Sequence, residues 1–103
     1  MAAATTRVLA AARECFEREL TGNRLARAHA CLDARMQLGD GTLRDDRRRL
    51  ASRWVAVGIE RLGAGELAVA RRAATAARAL DAGAAGLAAF EQRLRAAEAA
   101  SAR

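Results

Sequence analysis

Apolar side chains recur at steps of three and four along nearly the whole chain, and short runs containing glycine or asparagine break the rhythm four times. That period puts the apolar positions of each block on one side of a helix and the charged ones on the other. In the first block Val8, Leu9, Ala12, Cys15, Phe16 and Leu20 share a face, with Arg7, Arg13, Glu14, Glu17 and Arg18 filling the rest. Thr21-Gly22-Asn23 ends it, because Gly and Asn tolerate the left-handed turn that closes helices and Asn also caps a new start. A second block carries Leu25, Ala28, Leu32 and Met36 and stops at Gly39-Asp40-Gly41. Gly63-Ala64-Gly65 and Asp81-Ala82-Gly83 mark the remaining breaks, and a last block sets Leu87, Phe90, Leu94 and Ala97 on one face, with Glu91, Arg93, Arg95 and Glu98 elsewhere. The pattern predicts five helices, at 4–20, 24–38, 43–62, 66–80 and 84–100, with residues 101–103 fraying.

The third helix is the longest and has two apolar stripes. Leu43, Leu50, Trp54 and Val57 form one, expected against the fourth helix and the preceding pair; Val55, Ile59 and Leu62 form the other. Either neighbouring helices bury both stripes, or the second is left open for a partner. Thr42 is placed to cap this helix, and Asp45 and Asp46 suit the positive end of its dipole.

The order of large and small residues in 51–82 has a counterpart. Trp54, Val57-Gly58, Arg61, Ala70, Ala74, Ala77 and Leu80-Asp81-Ala82 fall on the spacing W-x2-L-G-x2-Y…A-x3-F…P, so the stretch resembles one tetratricopeptide repeat. Arg61, Ala74 and Ala82 depart from the family, standing where an aromatic, a Phe and a Pro are usual. The physical content is independent of the name. Trp54 and Val57 lie three apart on one face, Gly58 removes a side chain where a second helix must come close, and Ala70, Ala74 and Ala77 line the facing helix with methyls. Ala28, Leu32 and Leu38 echo the repeat in the first pair. Aligning Ala28 with Ala70 gives a spacing of 42 against the usual 34, and the surplus falls in 43–50. The resemblance implies a short right-handed α-α superhelix in one domain spanning 1–103: a degenerate repeat at about 4–41, a repeat at 43–82, and a capping helix at 84–100.

Composition supports an all-α chain. It has 103 residues with no Pro, three aromatics and 52 % hydrophobic residues, many of them Ala, enough for one domain that buries roughly two thirds of its unfolded surface. All 18 basic residues are Arg, a bias of the kind that GC-rich bacterial coding produces. The net charge of +6 would suit an anionic partner, but the 12 acidic residues are interspersed among the Arg. In the densest cluster, Arg44-Asp45-Asp46-Arg47-Arg48-Arg49 with Arg53, helical spacing fans the charges around the axis, and stacking aromatics are lacking, so nucleic acid is disfavoured as the partner. The start MAAATTRVLAAARECFE is interrupted by Arg13 and Glu14 and does not read as a signal peptide, and no window has the ~20 apolar residues of a membrane span. A cytoplasmic protein is the expectation.

Chemistry-bearing residues are sparse. His29 is the sole histidine, and Cys15 and Cys31, sixteen apart, are the two cysteines, so no C-x2-C pair exists and no metal site is expected. The thiols read as free and buried or half-buried in a reducing cytosol, and His29 as a helix-surface residue. Gly63-Ala64-Gly65 lacks the strand and Lys of a phosphate loop, and no nucleophile has an evident base. Neither an enzyme nor a cofactor is expected. Tetratricopeptide proteins hold a peptide or helix in a groove lined by the first helix of each pair. Carried onto this chain, the groove positions are Arg48, Ser52, Val55, Ile59 and Leu62, with Asp45 continuing the stripe. The resemblance thus implies a bacterial adaptor, chaperone or regulatory domain that binds another protein through a mostly apolar groove. Self-association as a homodimer through Val55, Ile59 and Leu62, or basic nucleic-acid binding, are the alternatives.

Overall fold

A computed structural model describes residues 2–103, with side chains from Thr5 onward. The described residues form five helices and no strand: α1 (Ala2–Thr21), α2 (Leu25–Gln37), α3 (Arg44–Gly63), α4 (Leu67–Leu80) and α5 (Leu87–Ser101). One backbone device ends the first three. After α1, the N–H of Arg24 donates to the Glu19 carbonyl and that of Asn23 to Leu20, with Asn23 at φ 56°. After α2, Asp40 donates to Arg35 and Gly39 to Met36; after α3, Glu66 donates to Arg61 and Gly65 to Leu62. Gly39 and Gly65 both stand at φ 78°, the left-handed conformation that this paired-bond stop requires and that side chains disfavour.

The starts differ from the sequence expectation. Arg24 occupies the N-cap of α2, and Asn23 is the left-handed stop of α1 instead. Thr42 does not cap α3, since its hydroxyl donates to Asp40 Oδ1 and the first bond of the helix runs from the Arg47 N–H to the Leu43 carbonyl. Asp45 and Asp46 do lie in the first turn of α3. Helix α5 begins three residues later than the alanines suggest. Asp81 Oδ1 accepts from the Gly83 N–H, two turns follow, and Gly86 at φ 79° takes a conformation that no helix can include.

The chain divides into two compact units, the first ending at Leu50 and the second running from Ala51 to Arg103. The boundary lies inside α3, so the surplus 43–50 packs with the first unit and the tetratricopeptide-like stretch begins the second. In the first unit α1 and α2 form a helical hairpin around Phe16, Leu20, Leu25, Ala28, Cys31 and Leu32. Val8 and Met36, placed on the apolar faces by their spacing, are instead each 53 % exposed. Cys15 and Cys31 are not free thiols: a disulfide joins them, with Cα atoms 5.9 Å apart, inside the range that a bridge needs. Closing a loop of this length contributes about 3 kcal/mol by limiting the unfolded chain.

The second unit is built on small residues. Ala70, Ala73, Ala74 and Ala77 of α4 are each at most 1 % exposed, and Val55, Leu87, Phe90 and Leu94 complete the core. Trp54, half-buried, packs against this cluster, as does Leu62. At Gly58 the side chain that fills the notch comes from α5. A Cβ there would lie 2.4 Å from Phe90 Cζ and 3.2 Å from Ala73 Cβ. Arg71 pairs with Glu98 and Arg78 with Glu91, seven residues later on α4 against seven earlier on α5, so these two helices run antiparallel. Glu91, placed on the polar face by the sequence reading, is only 8 % exposed.

Candidate functional site

The predicted strip separates into buried and open positions. Arg48 is exposed and belongs to the first unit. In the second, Ser52 is exposed, Ile59 is 38 % exposed and Leu62 is half-buried against the core. Val55 is 5 % exposed and packs among Ala70, Leu87 and Phe90, so it is a core residue and not a groove-lining one. The helical period explains the difference. Val55 and Leu62 lie seven apart on the inner edge of the stripe, while Ser52, Ala56, Ile59 and Gly63 fall on its outer edge. The open surface is therefore a single large aliphatic side chain among small ones. Of the signature positions, Gly58, Ala70 and Ala77 are buried and Trp54 and Val57 half-buried. Trp54 Nε1 is shielded from solvent and has no hydrogen-bond partner among the described residues, a donor whose isolation costs about 1–3 kcal/mol.

A second constellation, which sequence reading missed, lies in the first unit. Asp40, at the turn after α2, has a fully buried carboxylate that accepts five hydrogen bonds. Oδ2 takes Arg35 Nε at 2.9 Å and Arg13 Nε at 3.1 Å. Oδ1 takes Arg13 Nη2 at 3.1 Å, the Thr42 N–H at 2.8 Å and the Thr42 hydroxyl at 2.5 Å. Arg35, 2 % exposed, also donates to Asp46 Oδ2 at 2.8 Å, and Arg49 bridges Asp46 to both oxygens of Glu17. The guanidiniums of Arg35 and Arg49 lie 5.6 and 5.7 Å from the centre of the buried Phe16 ring.

Three arginines and three carboxylates make this network neutral, and its strongest acceptor is saturated. The Arg13 guanidinium, then Thr42 and Arg35, hold the Asp40 carboxyl far below the usual carboxylate range despite its burial. Glu17 is likewise lowered by its bond to Arg49, and Asp46 is lowered because Arg35 and Arg49 outweigh its desolvation. Asp40 has no proton to give near neutral pH and no free lone pair aimed outward. The cluster clamps α1, the 38–43 turn and the first turns of α3. The sign available in the sequence was an Arg five residues before an Asp at a glycine turn, a weak one.

Elsewhere, His29 Nε2 lies 4.0 Å from Asp33 Oδ1 one turn along α2, and among the described residues no group of three or more His, Cys, Asp or Glu could hold a metal ion. With Cys15 and Cys31 joined, the expectation of free thiols in a reducing cytosol is not met. No helix among the described residues is long and apolar enough to cross a membrane. Comparison of the chain with known protein families, curated proteins and solved structures gives no match, so the likeness to a tetratricopeptide repeat rests on the residue spacing alone.

Proposed function

We propose that the chain is a non-enzymatic protein-interaction module of tetratricopeptide-like type, an adaptor, chaperone or regulatory domain that holds an apolar or amphipathic segment of another protein against the open edge of α3. The observation that carries this reading is Ile59. Three large hydrophobic side chains are markedly exposed among the described residues, Val8, Met36 and Ile59, and Ile59 alone lies on the strip that the repeat spacing assigns to a partner. Around it Ser52, Ala56 and Gly63 are small and exposed, leaving room for an incoming side chain, while Val55 and Leu62 fix the helix to the core from beneath.

Arginine usage also supports a protein over a nucleic acid as partner. Arg13, Arg18, Arg24, Arg35, Arg49, Arg61, Arg71 and Arg78 are all engaged with carboxylates, which reduces the field that a phosphate backbone would meet. The test is capture from a native lysate by the wild type and by Ile59→Asp, with circular dichroism confirming equal helicity. Wild type should retain a protein at both low and high salt and Ile59→Asp should lose it. Equal capture by both, or capture of nucleic acid that falls steeply with salt, overturns the reading.

A further inference from the structure

The two ends of α1 are held very differently. From Thr5 to Glu14 no side chain is buried: Leu9 and Ala12 are half-buried, and Val8 is exposed. Beyond the disulfide at Cys15, Phe16 is 0 % and Leu20 3 % exposed, and Glu17 is tied to Arg49. The first half thus has little apolar contact of its own, and it is fastened at its inner end by Arg13 on Asp40 and by the covalent bond to Cys31. A segment with few buried contacts is the kind that opens locally while the rest stays folded.

We infer that the Cys15–Cys31 disulfide is a reducible lock on the first half of α1, closed under oxidising conditions and opened by a dithiol; once it is reduced, Arg13 on Asp40 is left to hold the segment up to Glu14, which then opens more readily, while the packing of Phe16 and Leu20 is kept. Cys31 is 5 % exposed and Cys15 half-buried, so Cys15 is the more open residue of the two and the one that an entering thiolate is expected to attack. A sulfur–sulfur bond forms between reductant and Cys15, the Cys15–Cys31 bond breaks, and its electron pair leaves on Cys31 Sγ, which takes a proton. The second thiolate of the reductant then attacks its own sulfur in the mixed disulfide. Cys15 leaves as thiolate and is protonated, and the dithiol departs as a cyclic disulfide, two electrons having passed from it to the protein.

Amide hydrogen exchange of the full chain, with and without dithiothreitol, reads the lock. Alkylation and intact mass should show no free thiol before reduction and two after it. On reduction, exchange in peptides covering 5–14 should quicken by about tenfold or more, while 16–21 and the peptides of α4 and α5 change little. A Cys15→Ser, Cys31→Ser double variant should show the fast exchange without reductant and no response to it. With the monothiol glutathione, the adduct should sit on Cys15. Unchanged exchange at 5–14 after verified reduction, equal loosening of α4 and α5, free thiols in the oxidised protein, or an adduct on Cys31 would each overturn the inference.

Discussion

Replacing Gly58 by Ala places a methyl where the Phe90 ring now lies, with Cζ 2.4 Å and Cε2 2.6 Å from the new carbon. Phe90 is 1 % exposed, so its ring has nowhere to swing, and either the ring or the α3 backbone must shift. Overpacking of this kind costs ~1–3 kcal/mol. Against it stands the gain of Ala over Gly inside a helix, ~1 kcal/mol. The net expectation is a loss of ~0–2 kcal/mol, where an exposed helical glycine would show a gain. Gly63, the last residue of the same helix, supplies the control, because a Cβ there meets nothing within 4 Å. Gly63→Ala should stabilise by ~0.4–1 kcal/mol. Urea unfolding followed by tryptophan emission measures both, since Trp54 is the sole Trp and there is no Tyr. Phe90→Leu should relieve the clash, leaving the double variant less destabilised than the sum of the singles by at least ~0.5 kcal/mol. If Gly58→Ala stabilises as much as Gly63→Ala, or if the two substitutions simply add, the notch has been misread.

Two further outcomes concern the first unit. Asp40→Asn keeps the shape of the side chain but leaves the buried Arg35 with Asp46 alone; breaking such a pair costs ~3–5 kcal/mol, and the surviving contact places this one near ~3 kcal/mol, measurable by urea unfolding. Arg35→Met should cost less, because Asp40 keeps Arg13 and Thr42. Acid should act through the same group. Asp40 is lowered in the folded chain, so its contribution is complete above the unfolded value of about 3.9 and drains as pH falls below it toward the folded value. Thermal melts between pH 7 and pH 2 should therefore show the wild type losing more stability than Asp40→Asn; parallel curves would contradict this.

The helices were legible because their signals are local. Each apolar stripe, and each of the stops at Asn23, Gly39 and Gly65, is written within a few consecutive residues. The alanine lane and the notch at Gly58 were also readable, since small residues on a helical spacing have one common use, although the ring that enters the notch lies 32 residues away and could not be named in advance. What escaped depends on neighbours distant in sequence. Val55 and Ile59 are equally apolar and four residues apart, yet one is core and the other surface, because the packing of Leu87 and Phe90 covers only the inner edge of α3. Periodicity assigned Glu91 to solvent, but the facing Arg78 allows it to be buried. Nothing next to Arg35 in the sequence marks it for burial, because Asp40, Asp46 and the Phe16 ring come together around it only in the fold. The disulfide was missed for a related reason: a separation of sixteen matches no local cysteine motif, whereas a helical hairpin brings those two positions together.

The proposed function depends above all on an indole packed against the methyl-lined core of the second unit, the contact that the tetratricopeptide reading expects, with Ile59 left outward. Quenching of the single tryptophan by acrylamide addresses it directly. The native chain should emit at short wavelength and be quenched weakly, changing to strong quenching and red-shifted emission on unfolding in urea. Native emission and quenching equal to those of the unfolded chain would show the ring in open water and contradict the paired-helix arrangement on which the proposed function stands.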